Sequence, residues 1–229
     1  MLHAAALAFR DIFSPPFRAV LLKSLALTLG LLAALWALLQ WLAVELVESP
    51  WPWLDTAISI LSGVGLVVGL AFLIAPVTAA FAGLFLDDVA EIVERTHYSA
   101  EPVGRPLPLS RAIPTSLRFV SIVLLVNLIA LPLVFVVGFG FLIFLFANAY
   151  LLGREYFELA AVRHQDESSA RRLRARYSGR IFLAGLLIAA FIAVPVLNLL
   201  GPLFATAFMV HVQKGIAAAE KRSRGLPSR

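Results

Sequence analysis

IFLAGLLIAAFIAVPVLNLLGPLFATAFMVHVQ, residues 181–213, is a run of 33 positions without an acid, a lysine or an arginine. A helix crosses the roughly 30 Å hydrocarbon core with about 20 residues, so the run is too long for one crossing. Two crossings and a turn would take about 40 residues or more, so it is too short for two. Its helix breakers sit in the middle: Pro195, Asn198, Gly201 and Pro202. Proline inside a helix loses one backbone hydrogen bond and clashes with the preceding turn. Two half-helices folded back at 195–202 satisfy both the length and the breakers. Such a re-entrant hairpin reaches part-way into the bilayer, with its turn buried in protein or lining a wet cavity. A single kinked span is the competing reading.

Three more runs lack charge. Residues 24–44 make 21 positions, a normal span. Residues 56–86 make 31, with Gly63, Gly65, Gly69 and Pro76, and lead into Asp87, Asp88, Glu91 and Glu94. This pattern predicts a long tilted helix, kinked near Pro76, that emerges as an amphipathic helix. Residues 119–153 make 35, broken by Pro132, Gly138 and Gly140, and repeat the hairpin problem of 181–213. The whole chain is 61% hydrophobic and 14% charged, with a mean hydropathy of +0.91. A soluble domain carries about 25% charged residues, so too little polar surface is present here to cover a water-soluble globule. The first apolar run is too long for a signal-peptide core and ends at acids without a small-residue cleavage pattern, so it reads as a span.

The expected fold is an all-α integral membrane protein of two long transmembrane helices plus two re-entrant, partly penetrating helical hairpins. It forms one membrane domain over 1–229. Its parts are an interfacial helix at 1–18, span 1 at 19–47, a long helix 2 at 55–95, hairpin 1 at 117–158, hairpin 2 at 179–214 and a basic tail at 215–229.

Loop charge discriminates between the readings. Short cytoplasmic loops are enriched in Lys and Arg. The N-terminal segment has Arg10, Arg18 and Lys23, the 88–118 loop has Arg95, Arg105, Arg111 and Arg118, and the 154–180 loop has seven arginines. The tail has Lys214, Lys221, Arg222, Arg224 and Arg229, while the 45–55 loop has only Glu45, Glu48 and Asp55. If each long run crossed once, the loop with seven arginines would lie outside. If each returns, every basic segment lies on one side. The termini and both basic loops are therefore expected to be cytoplasmic.

Chemistry-bearing motifs are scarce. No Walker-type loop and no HExxH is present, and the absence of cysteine excludes thiolate metal sites and Cys nucleophiles. His3, His97, His164 and His211 are scattered, none in a metal-ligand spacing. No catalytic residue, no metal and no cofactor is expected, and the chain does not read as an enzyme. Residues 1–13 place apolar side chains at 2, 5, 6, 9, 12 and 13 opposite Arg10 and Asp11, which suits an interfacial helix. The block RRLRARYSGR at 171–180 has no aromatic interleaving, so membrane lipids rather than nucleic acid are the expected partners. No Asp, Glu, Lys or Arg lies within the first, third or fourth run, which disfavours a proton relay built from those side chains. Broken helices instead aim positive half-helix ends into the membrane, a weak pointer to an anion pathway. Arg18, after Ser14-Pro15-Pro16-Phe17, is either an oxyanion holder at a helix N-terminus or an anchor that snorkels to the headgroups.

Several segments together resemble the CysZ-type sulfate permease family, which shares its domain with the eukaryotic etoposide-induced membrane protein. Pro15-Pro16-Phe17-Arg18 is similar to the family's Pro-Gly-Leu/Ile-Arg opening of the first span. Ala75-Pro76 followed by Asp87–Glu94 is similar to its second-helix exit, and Asn148-Ala149-Tyr150 with Gly153-Arg154-Glu155-Tyr156-Phe157-Glu158 to the segment after its first hairpin. Val194-Pro195-Val196-Leu197-Asn198-Leu199 is similar to its last-hairpin Ile-Pro-Leu-Leu-Asn-Leu. The resemblance implies a permease or channel for sulfate or a related inorganic anion, feeding sulfate assimilation for cysteine synthesis. It implies a multi-pass protein of the bacterial inner membrane, assembled as a homo-oligomer, with Arg18 in the anion-binding motif. Pro16 stands where that motif has glycine, and Ala19 where some members have a second arginine. The alternative function is a non-transporting membrane scaffold or lipid-interacting protein of the same fold.

Overall fold

The structure, a computed structural model, describes residues 1–46, 60, 63, 85–106 and 140–223. Among the described residues it is all-helical. The helices are α1 (Leu2–Ile12), α2 (Pro15–Leu46), α3 (Leu86–His97), α4 (Gly140–Val162), α5 (Glu167–Arg176), α6 (Ser178–Ile192), α7 (Pro195–Asn198) and α8 (Gly201–Ser223). The chain divides into two compact units, Ala19–Leu84 and the rest.

The described part of the first unit is the body of α2 and the single positions 60 and 63. Two prolines open this helix, at positions where an N–H would lack an intrahelical partner anyway. Among the described residues, the stretch Pro15–Leu38 is the one single helix long and apolar enough to cross a membrane, and only 22% of its most apolar window is buried. Leu22, Leu27, Leu29, Leu31, Trp36, Leu38 and Trp41 are all exposed. Its two buried hydroxyls are satisfied within the helix: Ser24 Oγ donates to Val20 O at 3.0 Å and Thr28 Oγ1 to Ser24 O at 2.8 Å. A helix with so long an apolar stretch, two of whose hydroxyls turn back on its own carbonyls, suits a hydrocarbon solvent.

The second unit is built around α8. From Leu203 to Lys214 every residue of α8 is buried, and α1, α3, α4 and α6 all pack against it. Against α6 the chain doubles back. The rings of Phe191 and Phe204 stack with centroids 4.1 Å apart, whereas thirteen residues of straight helix would separate them by roughly 20 Å. The reversal is local chemistry. Val194 is extended, as a residue before proline prefers. Pro195 starts the single turn α7, and Gly201 restarts the helix where a Cβ would come within 2.7 Å of Ile192 Cγ2. α4 and α6 approach still more closely. A Cβ on Gly185 would lie 1.9 Å from Ala149 O, and one on Gly153 2.6 Å from Ile181 O. Small residues that let two backbones touch are the usual means of helix association in lipid.

Several expected boundaries move. α1 ends at Ile12 rather than 18, because Pro15 restricts Ser14 and pre-sets the start of α2. The helix expected over 55–95 is not continuous. Phe85 is a cap with φ −104 and ψ 12, and α3 begins at Leu86, because Asp87 and Asp88 favour a helix N-terminus over an interior. The basic tail expected at 215–229 is helical to Ser223 as part of α8, its Glu220 accepting from Arg176 at 2.8 Å and from Tyr177 at 3.0 Å. The bend at Pro76, the 45–55 loop beyond Leu46, the hairpin 1 breakers Pro132 and Gly138, and residues 224–229 lie outside the described residues.

Candidate functional site

Arg18 sits in the first turn of α2, and its surroundings are set by its neighbours in sequence. Ser14 N–H donates to Asp11 O at 2.9 Å, and Arg18 N–H to Ser14 O at 3.0 Å, the first rung of the helix. A helix start ordinarily presents several free N–H groups to an anion. Here Pro15 and Pro16 have none, so Phe17 N–H is at most the one left. Phe17 is buried and pins the turn, while Arg18 is exposed. Among the described residues no side-chain hydrogen bond or ion pair occupies the guanidinium of Arg18. An anion held at this turn would rely on that guanidinium rather than on backbone amides.

The breakers of the last hairpin come together at one tip. Pro195 is in the opening turn of α7, Asn198 is its exposed last residue, and Gly201 and Pro202 open α8. Thr206 Oγ1 donates to Pro202 O at 2.8 Å. Pro76 and Pro132 lie outside the described residues.

Residues 4–202 match the family described as Sulfate transporter CysZ/Etoposide-induced protein 2.4. The chain belongs to that family. No curated protein matches it. The match covers all but the first two residues of α1, the opening of α2 with Arg18, and the chain reversal up to Pro202.

Two further constellations stand beside these, and the first leaves no mark in the sequence. The first is a buried ion-pair network. Arg163 was counted above as a loop charge, yet its side chain is 2% exposed, as is that of Glu94. The guanidinium donates to Glu94 Oε1 at 3.2 Å and Oε2 at 3.1 Å, and also pairs with Asp87. Glu94 further accepts from Gly104 N–H at 2.9 Å and lies 2.9 Å from His164 Nε2. Burial alone would raise the pKa of Glu94. Hydrogen bonds from His164, Arg163 and the Gly104 amide, with the charge of Arg163, outweigh it and hold the carboxyl down at about 2. This network fastens α3 and the segment after it to the end of α4. The second is a basic cleft of about 450 Å³ between α5 and α8, lined by Arg172, Arg176 and Lys221 beside Glu220. The arginine block is thus partly committed to protein. Arg174 lies 2.9 Å from Glu158, and Arg176 pairs with Glu220.

Proposed function

We propose that the chain is a membrane permease or channel for sulfate or a related inorganic anion, in which Arg18 receives the anion at the start of α2. The observation that carries this reading is an exposed guanidinium with no partner among the described residues, at the mouth of a lipid-suited helix, in a member of a sulfate transporter family. A planar guanidinium offers two parallel donors to an oxyanion and stays charged at any physiological pH. Sulfate carries its charge permanently, so a fixed arginine rather than a titrating relay suits it. The role in assimilation, the homo-oligomer and the bacterial inner membrane belong to the same proposal.

The proposed membrane arrangement keeps two crossings and two returning hairpins, with both termini cytoplasmic. α6 has 15 residues, about 22 Å of helix, short of the roughly 30 Å core. α5 meets α6 at 90°, so if α6 enters along the normal, the arginine-rich α5 lies flat at the headgroups. The basic cleft between α5 and α8 favours the second reading, a lipid-interacting protein of the same fold, since an anionic headgroup matches Arg172, Arg176 and Lys221.

Sulfate uptake into proteoliposomes separates the two. The permease reading predicts uptake above empty liposomes, lost in Arg18→Ala while the variant stays monodisperse in detergent. No flux above empty liposomes would leave the lipid-interacting reading in its place.

A further inference from the structure

Three side chains far apart in the sequence meet where α1, the end of α3 and α8 pack together. His97 Nε2 lies 3.0 Å and 2.9 Å from the two carboxylate oxygens of Asp11. His211 Nε2 lies 3.6 Å from Asp11 Oδ2, beyond hydrogen-bonding range. The two imidazole centroids are 5.0 Å apart, with the rings inclined at 69°. One ligand atom from each residue lies within 4.8 Å of the others. Around a tetrahedral zinc with bonds of about 2.0–2.1 Å, neighbouring ligand atoms are roughly 3.3 Å apart. The observed 2.9 Å and 3.6 Å fall on either side of that spacing.

A second observation points to a missing ligand. The His211 side chain is 2% exposed, and its Nε2 is buried with no hydrogen-bond partner. Unsatisfied buried polar atoms are rare and call for an explanation. The other nitrogen, Nδ1, lies 2.8 Å from Tyr98 Oη. With the proton on Nδ1 and donated to the phenol oxygen, Nε2 presents a lone pair toward Asp11 and His97. Ligating imidazoles are oriented in this way, through a hydrogen bond from the nitrogen that does not bind metal. Lys214, whose ammonium lies 5.5 Å from the Tyr98 ring centroid, donates to Glu101 at 2.8 Å, so its charge is already paired.

We propose that Asp11, His97 and His211 bind one divalent transition-metal ion of the zinc class, leaving a fourth position for water. Two imidazoles and a carboxylate suit zinc, whereas magnesium and calcium prefer sets made wholly of oxygen. The ion joins the N-terminal helix to α3 and α8. Its test is read by metal binding alone.

Full-length protein, freed of any affinity tag and stripped with chelator in detergent, is titrated with Zn²⁺ against a chromophoric chelator. Co²⁺ loading is followed by visible absorption. The expected result is one zinc per chain, the intense visible band of four-coordinate cobalt, and a thermal midpoint raised by zinc. Affinity falls at least about tenfold in His97→Ala and in Asp11→Asn, since even partners outside the coordination shell cost about 10–100-fold. Both side chains are partly exposed, at 24% and 14%, so these variants avoid the cavity that His211→Ala would leave. Wild-type protein that takes up no zinc at micromolar free metal, or undiminished affinity in both variants, overturns the proposal.

Discussion

α2 and α8 are both long apolar helices, and they occupy opposite surroundings. α2 leaves leucines and tryptophans uncovered along its length and has few buried residues. α8 is buried at every position from Leu203 to Lys214, including His211, Gln213 and Lys214. Hydropathy separates them only in part: among the described residues α2 holds the one single helix stretch apolar enough to cross a membrane. Their polar residues separate them further. The buried hydroxyls of α2, Ser24 and Thr28, donate to carbonyls of their own helix, whereas polar residues toward the end of α8 reach other elements, Lys214 to Glu101 and His211 to Tyr98. A helix facing lipid satisfies itself, and a helix inside a bundle is satisfied by its neighbours.

Glycine substitution should separate the two surroundings most sharply. Gly185→Leu places a side chain where Ala149 O already lies 1.9 Å from an ideal Cβ. Overpacking a core costs about 1–3 kcal/mol even where side chains can adjust, and here the obstacle is backbone. The variant is expected to yield no monodisperse protein by size-exclusion chromatography in detergent. A well-behaved Gly185→Leu protein would remove the close α4–α6 crossing from this account.

A loss short of misfolding is expected at the ion-pair network. Glu94→Gln leaves the buried Arg163 with Asp87 as its one carboxylate among the described residues, and breaking a buried pair costs about 3–5 kcal/mol. The same carboxyl makes stability depend on pH. Its pKa is lowered from 4.5 to about 2 on folding, so its contribution is complete above pH 4.5 and disappears as pH falls from 4.5 through about 2. Thermal melts across that window should show a steeper acid loss in wild type than in Glu94→Gln. The smallest effect belongs to α2. Gly30→Ala meets nothing within 4 Å, and better helix propensity should leave stability unchanged or raised by up to about 1 kcal/mol.

These contrasts follow what was legible in the sequence. The reversal between α6 and α8 was readable because Pro195, Gly201 and Pro202 act through their own backbone. α2 was readable because nothing charged interrupts residues 24–44. The start of α3 was signalled by Asp87-Asp88 but absorbed into a longer apolar run. Gly153 and Gly185 carry no local mark of their role, since each matters only through a helix some thirty residues away. Arg163 reads as a loop charge until Glu94 is found beside it. Asp11, His97 and His211, 86 and 114 positions apart, have no spacing that sequence inspection could recognise.

The proposed sidedness of these helices is directly measurable, because the sequence has no cysteine. Single cysteines at positions 50 and 172 would be labelled with a membrane-impermeant maleimide in intact cells and again after permeabilisation. Position 50 should label in intact cells and position 172 only after permeabilisation, because an inserted hairpin that returns does not change sides. Labelling of position 172 from outside, with position 50 also outside, would contradict the two-crossing, two-hairpin account.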